Sequence, residues 1–185
     1  MVKNRVLMAC FIMAAFISMS IFIAPFSLEK NTVGNLDGSA WKIDYAGIWD
    51  SMPSFQRAIY YFGDLNCHQK SYRSYFINGN QMPVCSRDTG MLIGLSAGFF
   101  ISMFSPKGRS IGETAFRMFR GRVKGMGRLA ALLVFLILPA SADGFLQIYA
   151  GYESINPLRT LTGFMLGLGI SVIASLLVLT DPRID

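Results

Sequence analysis

One stretch concentrates the residue types that can do chemistry. Between Asn66 and Gly90 the chain carries Cys67-His68-Gln69 and, after Pro83, Cys85-Ser86-Arg87-Asp88-Thr89-Gly90. Two of the three cysteines and the only histidine lie here. Cys85-x-x-Asp88 has the spacing of a zinc knuckle with a carboxylate as its second ligand, and Cys67 or His68 would complete it. Zinc accepts Cys, His and Asp in tetrahedral sites, and an open fourth position holds a water. Zinc is the expected cofactor on this reading, with Cys67, His68, Cys85 and Asp88 as candidate ligands. Asp143 is then a candidate general base or a support for the metal, and Arg87 and Arg159 are candidate anion clamps. Such parts suit a hydrolase or transferase acting on a lipid or lipid-linked group.

Two other chemistries fit the same residues. Cys67 and Cys85 stand eighteen apart, and outside the cytoplasm they can be bridged. Closing that loop would stabilise the fold by about 3 kcal/mol on the chain-entropy model. The protein would then be a non-enzymatic accessory subunit or small carrier, with Asp143 and Gln147 lining a path. A thiolate nucleophile would need Cys85 with His68, held by an acid. Cys10 lies in an apolar run and reads as a small core residue.

The elements that must position these groups are membrane helices. Apolar residues make up 52% of the 185 residues and charged residues 15%. Residues 6–26, 89–105, 129–150 and 161–180 are the four spanning candidates. The first is longer than a signal-peptide core, which predicts a retained helix. The expected fold is an all-α, four-helix membrane bundle forming one domain over residues 1–185.

Segment 27–88 is the polar exception. Met52, Phe55, Ile59, Phe62 and Leu65 recur at helical spacing, which predicts an amphipathic helix with Ser51 or Ser54 as its cap. Tyr60 and Tyr61 suit headgroup depth. Asn78-Gly79-Asn80 reads as a tight turn.

Charge sets the orientation. The net charge is +6, and seven of the seventeen Lys and Arg fall between Lys107 and Arg128. That placement fits a cytoplasmic loop better than a nucleic-acid groove. With Lys3 and Arg5 it predicts an inner-membrane protein with both termini cytoplasmic and 27–88 outside. The expected partners are the bilayer, a lipid or lipid-linked substrate, and a membrane partner or second copy; nucleic acid is excluded. No P-loop or dinucleotide fingerprint is present.

This topology brings Cys85, Arg87 and Asp88, then Asp143 and Gln147, then Arg159 and Thr162 to one membrane depth. A carboxylate in a spanning helix needs a partner, and Arg87 or Arg159 is the natural one for Asp143. Arg87-x-Thr89-Gly90-x-x-x-Gly94 is echoed by Arg159-x-x-Thr162-Gly163-x-x-x-Gly167. The echo allows two parallel helices to pack through glycine faces.

These motifs in combination (C-H-Q, R-S, P-V-C-x-R-x-T-G, D-G-x-x-Q and R-x-x-T-G-x-x-x-G) resemble a family of small multi-pass membrane proteins of unknown function from archaea and bacteria. The likeness covers roughly residues 64–170. It implies that Cys67, His68, Gln69, Arg73, Cys85, Arg87, Thr89, Gly90, Asp143, Gln147, Arg159 and Gly163 stand at motif positions. It also implies a further cysteine in many relatives where this chain has Asp88. It strengthens the site and leaves the reaction open.

Overall fold

A computed structural model describes residues 4–183; Lys3, used above for orientation, lies outside the described residues. The chain is mostly helical. In order it forms α1 (Arg5–Phe26), α2 (Ala46–Asp50), α3 (Ser54–Asn66), β1 (Phe76–Ile77), β2 (Asn80–Gln81), α4 (Ser86–Ser102), α5 (Ile111–Met118), α6 (Met126–Tyr149) and α7 (Asn156–Leu179). Among the described residues α1, α6 and α7 are long and apolar enough to cross a membrane. Helix α4, at 17 residues, is shorter than these three.

Local chemistry explains the ends. Asn4 caps α1, its Oδ1 accepting from the amides of Val6 at 2.9 Å and Leu7 at 3.1 Å. Pro157 lies in the first turn of α7, where a missing N–H costs nothing. Asn78 and Gly79 both have positive φ, 53° and 74°, as a two-residue hairpin turn requires. That turn pairs Phe76 with Gln81 and Ile77 with Asn80.

Helices α4 and α7 form the spine and run parallel. A Cβ added to Gly90 would lie 2.1 Å from the Thr160 carbonyl oxygen, and one on Gly94 2.2 Å from that of Phe164. Reciprocally, a Cβ on Gly163 would lie 2.1 Å from the Arg87 oxygen, and one on Gly167 2.2 Å from that of Met91. Backbone meets backbone along this seam, so no side chain fits. The echo in the sequence is this interface. Helix α1 packs along α4, with Ser18 Oγ 3.1 Å from Ser96 Oγ and the rings of Phe11 and Phe100 5.1 Å apart. Helix α6 packs on α7, where Gly169 faces Leu136 and Ile137.

The two ends of the bundle differ. At one, Leu7, Met103, Ala115, Met118, Leu129 and Leu179 make a core cluster, so the start of α1, the basic segment and the end of α7 meet. Lys107 pairs with Asp181 at 3.5 Å there. The basic segment, expected as a loop, contains α5; Ser110 and Glu113 cap it.

At the other end, segment 27–85 folds over the helix tips. Helix α3 begins after Pro53, its N-cap, rather than at a serine cap, and no side chain caps it. Its buried positions are Tyr60, Gly63 and Asp64, offset from the predicted stripe; Phe55 and Leu65 are exposed. Tyr60 corrects the expectation of headgroup depth: it is fully buried, stacks on Trp49, and donates to the Gln81 carbonyl at 2.7 Å. Asp64, also fully buried, explains the offset. One oxygen accepts from the amides of Asp44 and Tyr45 and from Trp49 Nε1 at 2.7 Å. A carboxylate can be held inside only with such donors.

Candidate functional site

Two glutamine side chains, bonded to main-chain groups, bring the two halves of the chemical stretch together. Gln69, fully buried with φ 47°, donates from Nε2 to the Pro83 carbonyl at 2.9 Å. Gln81 Nε2 donates to the Gln69 carbonyl at 2.6 Å, and Gln81 Oε1 accepts from Leu36 N at 3.1 Å. Gly63 lets α3 touch this crossing: a Cβ there would stand 1.8 Å from the Pro83 oxygen. The result lays Cys67 against Cys85, whose amide donates to Cys67 Sγ at 3.1 Å.

Cys67, Cys85 and Asp88 form a cluster whose ligand atoms all lie within 4.8 Å of one another. Cys85 is the N-cap of α4 and Asp88 lies in its first turn, so each is fixed by the helix start. Both cysteines are buried and unbridged. The Cys85 thiol is held below its ordinary pKa, first by its hydrogen bond with the Cys67 sulfur. Cys67 is pushed well up by that same contact, then by burial and the charge of Asp88. The two titrate as a pair.

His68 does not join the cluster. The backbone at Cys67 is extended, φ −136° and ψ 152°, and neighbours on an extended chain point to opposite sides. His68 instead lines a cavity of about 300 Å³ that also exposes Cys67, Cys85 and Asp88.

The same cavity is lined by Arg73, Arg87 and Arg159. Each comes from a different element, and each is held from behind by a carboxylate. Arg87 on α4 forms an ion pair with Asp143 on α6. Gln147, one turn on, braces that pair by donating to Asp143 Oδ2 at 2.9 Å. Arg159 on α7, 2% exposed, pairs with Glu153 and donates to Gln147 Oε1 at 3.3 Å and Asn156 Oδ1 at 3.2 Å. Arg73 reaches the other oxygen of Glu153 at 3.0 Å. All three arginines retain a buried Nε–H with no acceptor. Burial raises the Glu153 carboxyl, but Arg73 and then Arg159 outweigh it and hold the group below its ordinary value.

The structure therefore gathers Cys67, His68, Cys85, Asp88, Arg87 and Arg159 around one space. Asp143 stands behind Arg87 rather than on the cavity wall, 6% exposed and with Oδ1 unpartnered. Arg73 entered the sequence reading only through the resemblance, and Glu153 did not enter it. The signal for Glu153 was available: it is the single acid in the short turn between the last two apolar runs.

A family model described as "Predicted membrane protein (DUF2085)" matches residues 67–173, more than half of the chain. The chain belongs to the DUF2085 family. The match begins at Cys67 and takes in the thiol cluster, Arg87, Asp143 and Arg159. Two archaeal relatives are similar. An uncharacterized protein of Methanothermobacter thermautotrophicus is 32% identical over 111 residues, 60% of this chain and 86% of the relative. Another, from Methanocaldococcus jannaschii, is 30% identical over 149 residues, 80% of this chain and 77% of the relative. No solved structure matches. As a DUF2085 member the chain is a membrane protein whose function the family description leaves open.

Proposed function

We propose that this DUF2085 protein is a membrane-embedded, zinc-dependent hydrolase or transferase acting on a lipid or lipid-linked substrate at the outer face of the inner membrane. The observation that carries this is the meeting of Cys67, Cys85 and Asp88, within 4.8 Å, on the wall of a cavity that three arginines share. Three protein ligands with an open fourth position is the pattern of catalytic zinc sites, where the metal acidifies a bound water to a pKa of about 7. His68, on the same wall but outside the cluster, is the candidate base. Arg87 and Arg159 are placed to hold an anionic group beside the cluster. Asp143 acts through Arg87 as a positioning residue, since it pairs with the guanidinium from outside the cavity.

In this reading α4 is the fourth span, shortened to 17 residues because its start is part of the site. The start of α1, the basic segment and the end of α7 gather at the opposite end of the bundle. That arrangement supports both termini and the basic loop on the cytoplasmic side, and the site outside.

Metal analysis of protein purified without chelator is the test. About one zinc per chain, lost in Cys85→Ser and Asp88→Asn, is the expected outcome. The opposite outcome is no metal and a Cys67–Cys85 bridge. The two sulfurs lie within 4.8 Å of each other, against about 2.05 Å in a bridge. That outcome would leave an accessory or carrier protein with a structural disulfide.

A further inference from the structure

A second cavity, of about 260 Å³, adjoins the arginine-lined one. The two share Trp41, Asn66, Cys67 and Asp88 as lining. Beyond that shared edge their chemistry diverges. The first presents Arg73, Arg87 and Arg159, while the second is walled by Phe62, Val84, Met91 and Leu92. A charged compartment beside an apolar one matches a molecule with an anionic head and a hydrocarbon chain. Trp41 marks the seam. It is 81% exposed and has φ 67°, a conformation few bulky residues adopt, and its amide donates to Leu65 O at 3.0 Å. An exposed indole held this way suits the depth where lipid heads meet chains.

We infer that the paired cavities bind an amphiphile whose phosphate head carries net negative charge, with the phosphate among Arg73, Arg87 and Arg159 and its chain against Phe62, Val84, Met91 and Leu92. This rests on the reading of the site given above and names its substrate class. Guanidinium groups present planar forks of donors that match phosphate oxygens. Arg159, almost fully buried, is not placed there to meet bulk water. Asp143 and Glu153 do not line the space and hold the guanidinium groups from outside it. Glu153 grips both Arg73 and Arg159. It is therefore the internal anion that an arriving phosphate must compete with.

The experiment is a binding titration on the full chain in nanodiscs or detergent. The probes are dioleoyl phosphatidic acid, dioleoyl phosphatidylcholine and chain-free glycerol 3-phosphate, with zinc measured on the same preparation. Phosphatidic acid is expected to bind at least tenfold tighter than either alternative. Glu153→Gln should tighten it severalfold by releasing two arginines, whereas loss of a merely structural ion pair would not. Met91→Trp and, separately, Leu92→Phe should weaken phosphatidic acid at least fivefold and leave glycerol 3-phosphate unchanged. Two cavity-filling variants guard against one that fails to fold. Equal binding of phosphatidylcholine, or glycerol 3-phosphate binding as tightly as the lipid, overturns the inference. Lipid preference without zinc would remove the metal site and keep the amphiphile; zinc without lipid preference would do the reverse.

Discussion

Replacing Gly163 by alanine tests whether the parallel glycine seam sets the geometry of the site. The added Cβ would lie 2.1 Å from the carbonyl oxygen of Arg87, with the Arg87 carbonyl carbon at 2.9 Å. An ordinary contact needs about 1.3 Å more. The obstacle is backbone on both sides, so no side chain can rotate away. Helices α4 and α7 must separate at the level where Arg87, Arg159 and the start of α4 line the cavity. Overpacking of this kind costs about 1–3 kcal/mol. Gly127, in the first turn of α6, has nothing within 4 Å of an added Cβ. Alanine there should stabilise by up to about 1 kcal/mol through helix propensity alone. The assay is chemical unfolding of both variants in one detergent, with zinc content measured alongside. Opposite signs, and zinc reduced only in Gly163→Ala, are expected. Equal stability of the two variants would mean that the seam is yielding rather than rigid and does not set the geometry of the site.

Other outcomes follow from single contacts. Asp143→Asn leaves Arg87 without its counter-charge and should destabilise by about 2–3 kcal/mol, less than a fully buried pair because the Arg87 side chain is 29% exposed; Arg87→Gln added to it should recover much of the loss in a double-mutant cycle. Asp64→Ala strands two amides and the Trp49 indole N–H, and should cost about 3–4 kcal/mol with a change in Trp49 fluorescence on unfolding. Glu153 is held below its ordinary pKa, so its stabilising pair is complete above about pH 4.3 and is lost as pH falls through the depressed folded value. Unfolding midpoints of the wild type and Glu153→Gln should thus differ above that range and converge below it.

Much of this arrangement was legible because membranes impose it. The apolar runs mark the long helices within a few residues, and an acid at Asp143 inside one of them had to find a cation. Arg87 meets that need. The repeated T-G-x-x-x-G was legible as a packing face because glycine periodicity survives in sequence. What was hidden depends on distant backbone. Gln69 reads as a polar motif residue, yet its work is to clasp the Pro83 carbonyl and so align Cys67 with Cys85. Tyr60 looks interfacial by type, but the Trp49 ring and the Gln81 carbonyl draw it inside. His68 shared a dipeptide with a ligand candidate, and the extended backbone turned it away. The head of α5 was masked by the basic charge around it, although Ser110 and Glu113 already spelled a cap.

On the proposed function, two thiols and one carboxylate hold a metal beside the arginines. X-ray absorption at the zinc edge, on zinc-containing protein in detergent, reads that shell directly. Two sulfurs at about 2.3 Å are expected, with the remaining light-atom ligands at about 2.0–2.2 Å, and loss of one sulfur in Cys85→Ser. A shell without sulfur, or a protein that holds no zinc while Cys67 and Cys85 are bridged, would contradict it.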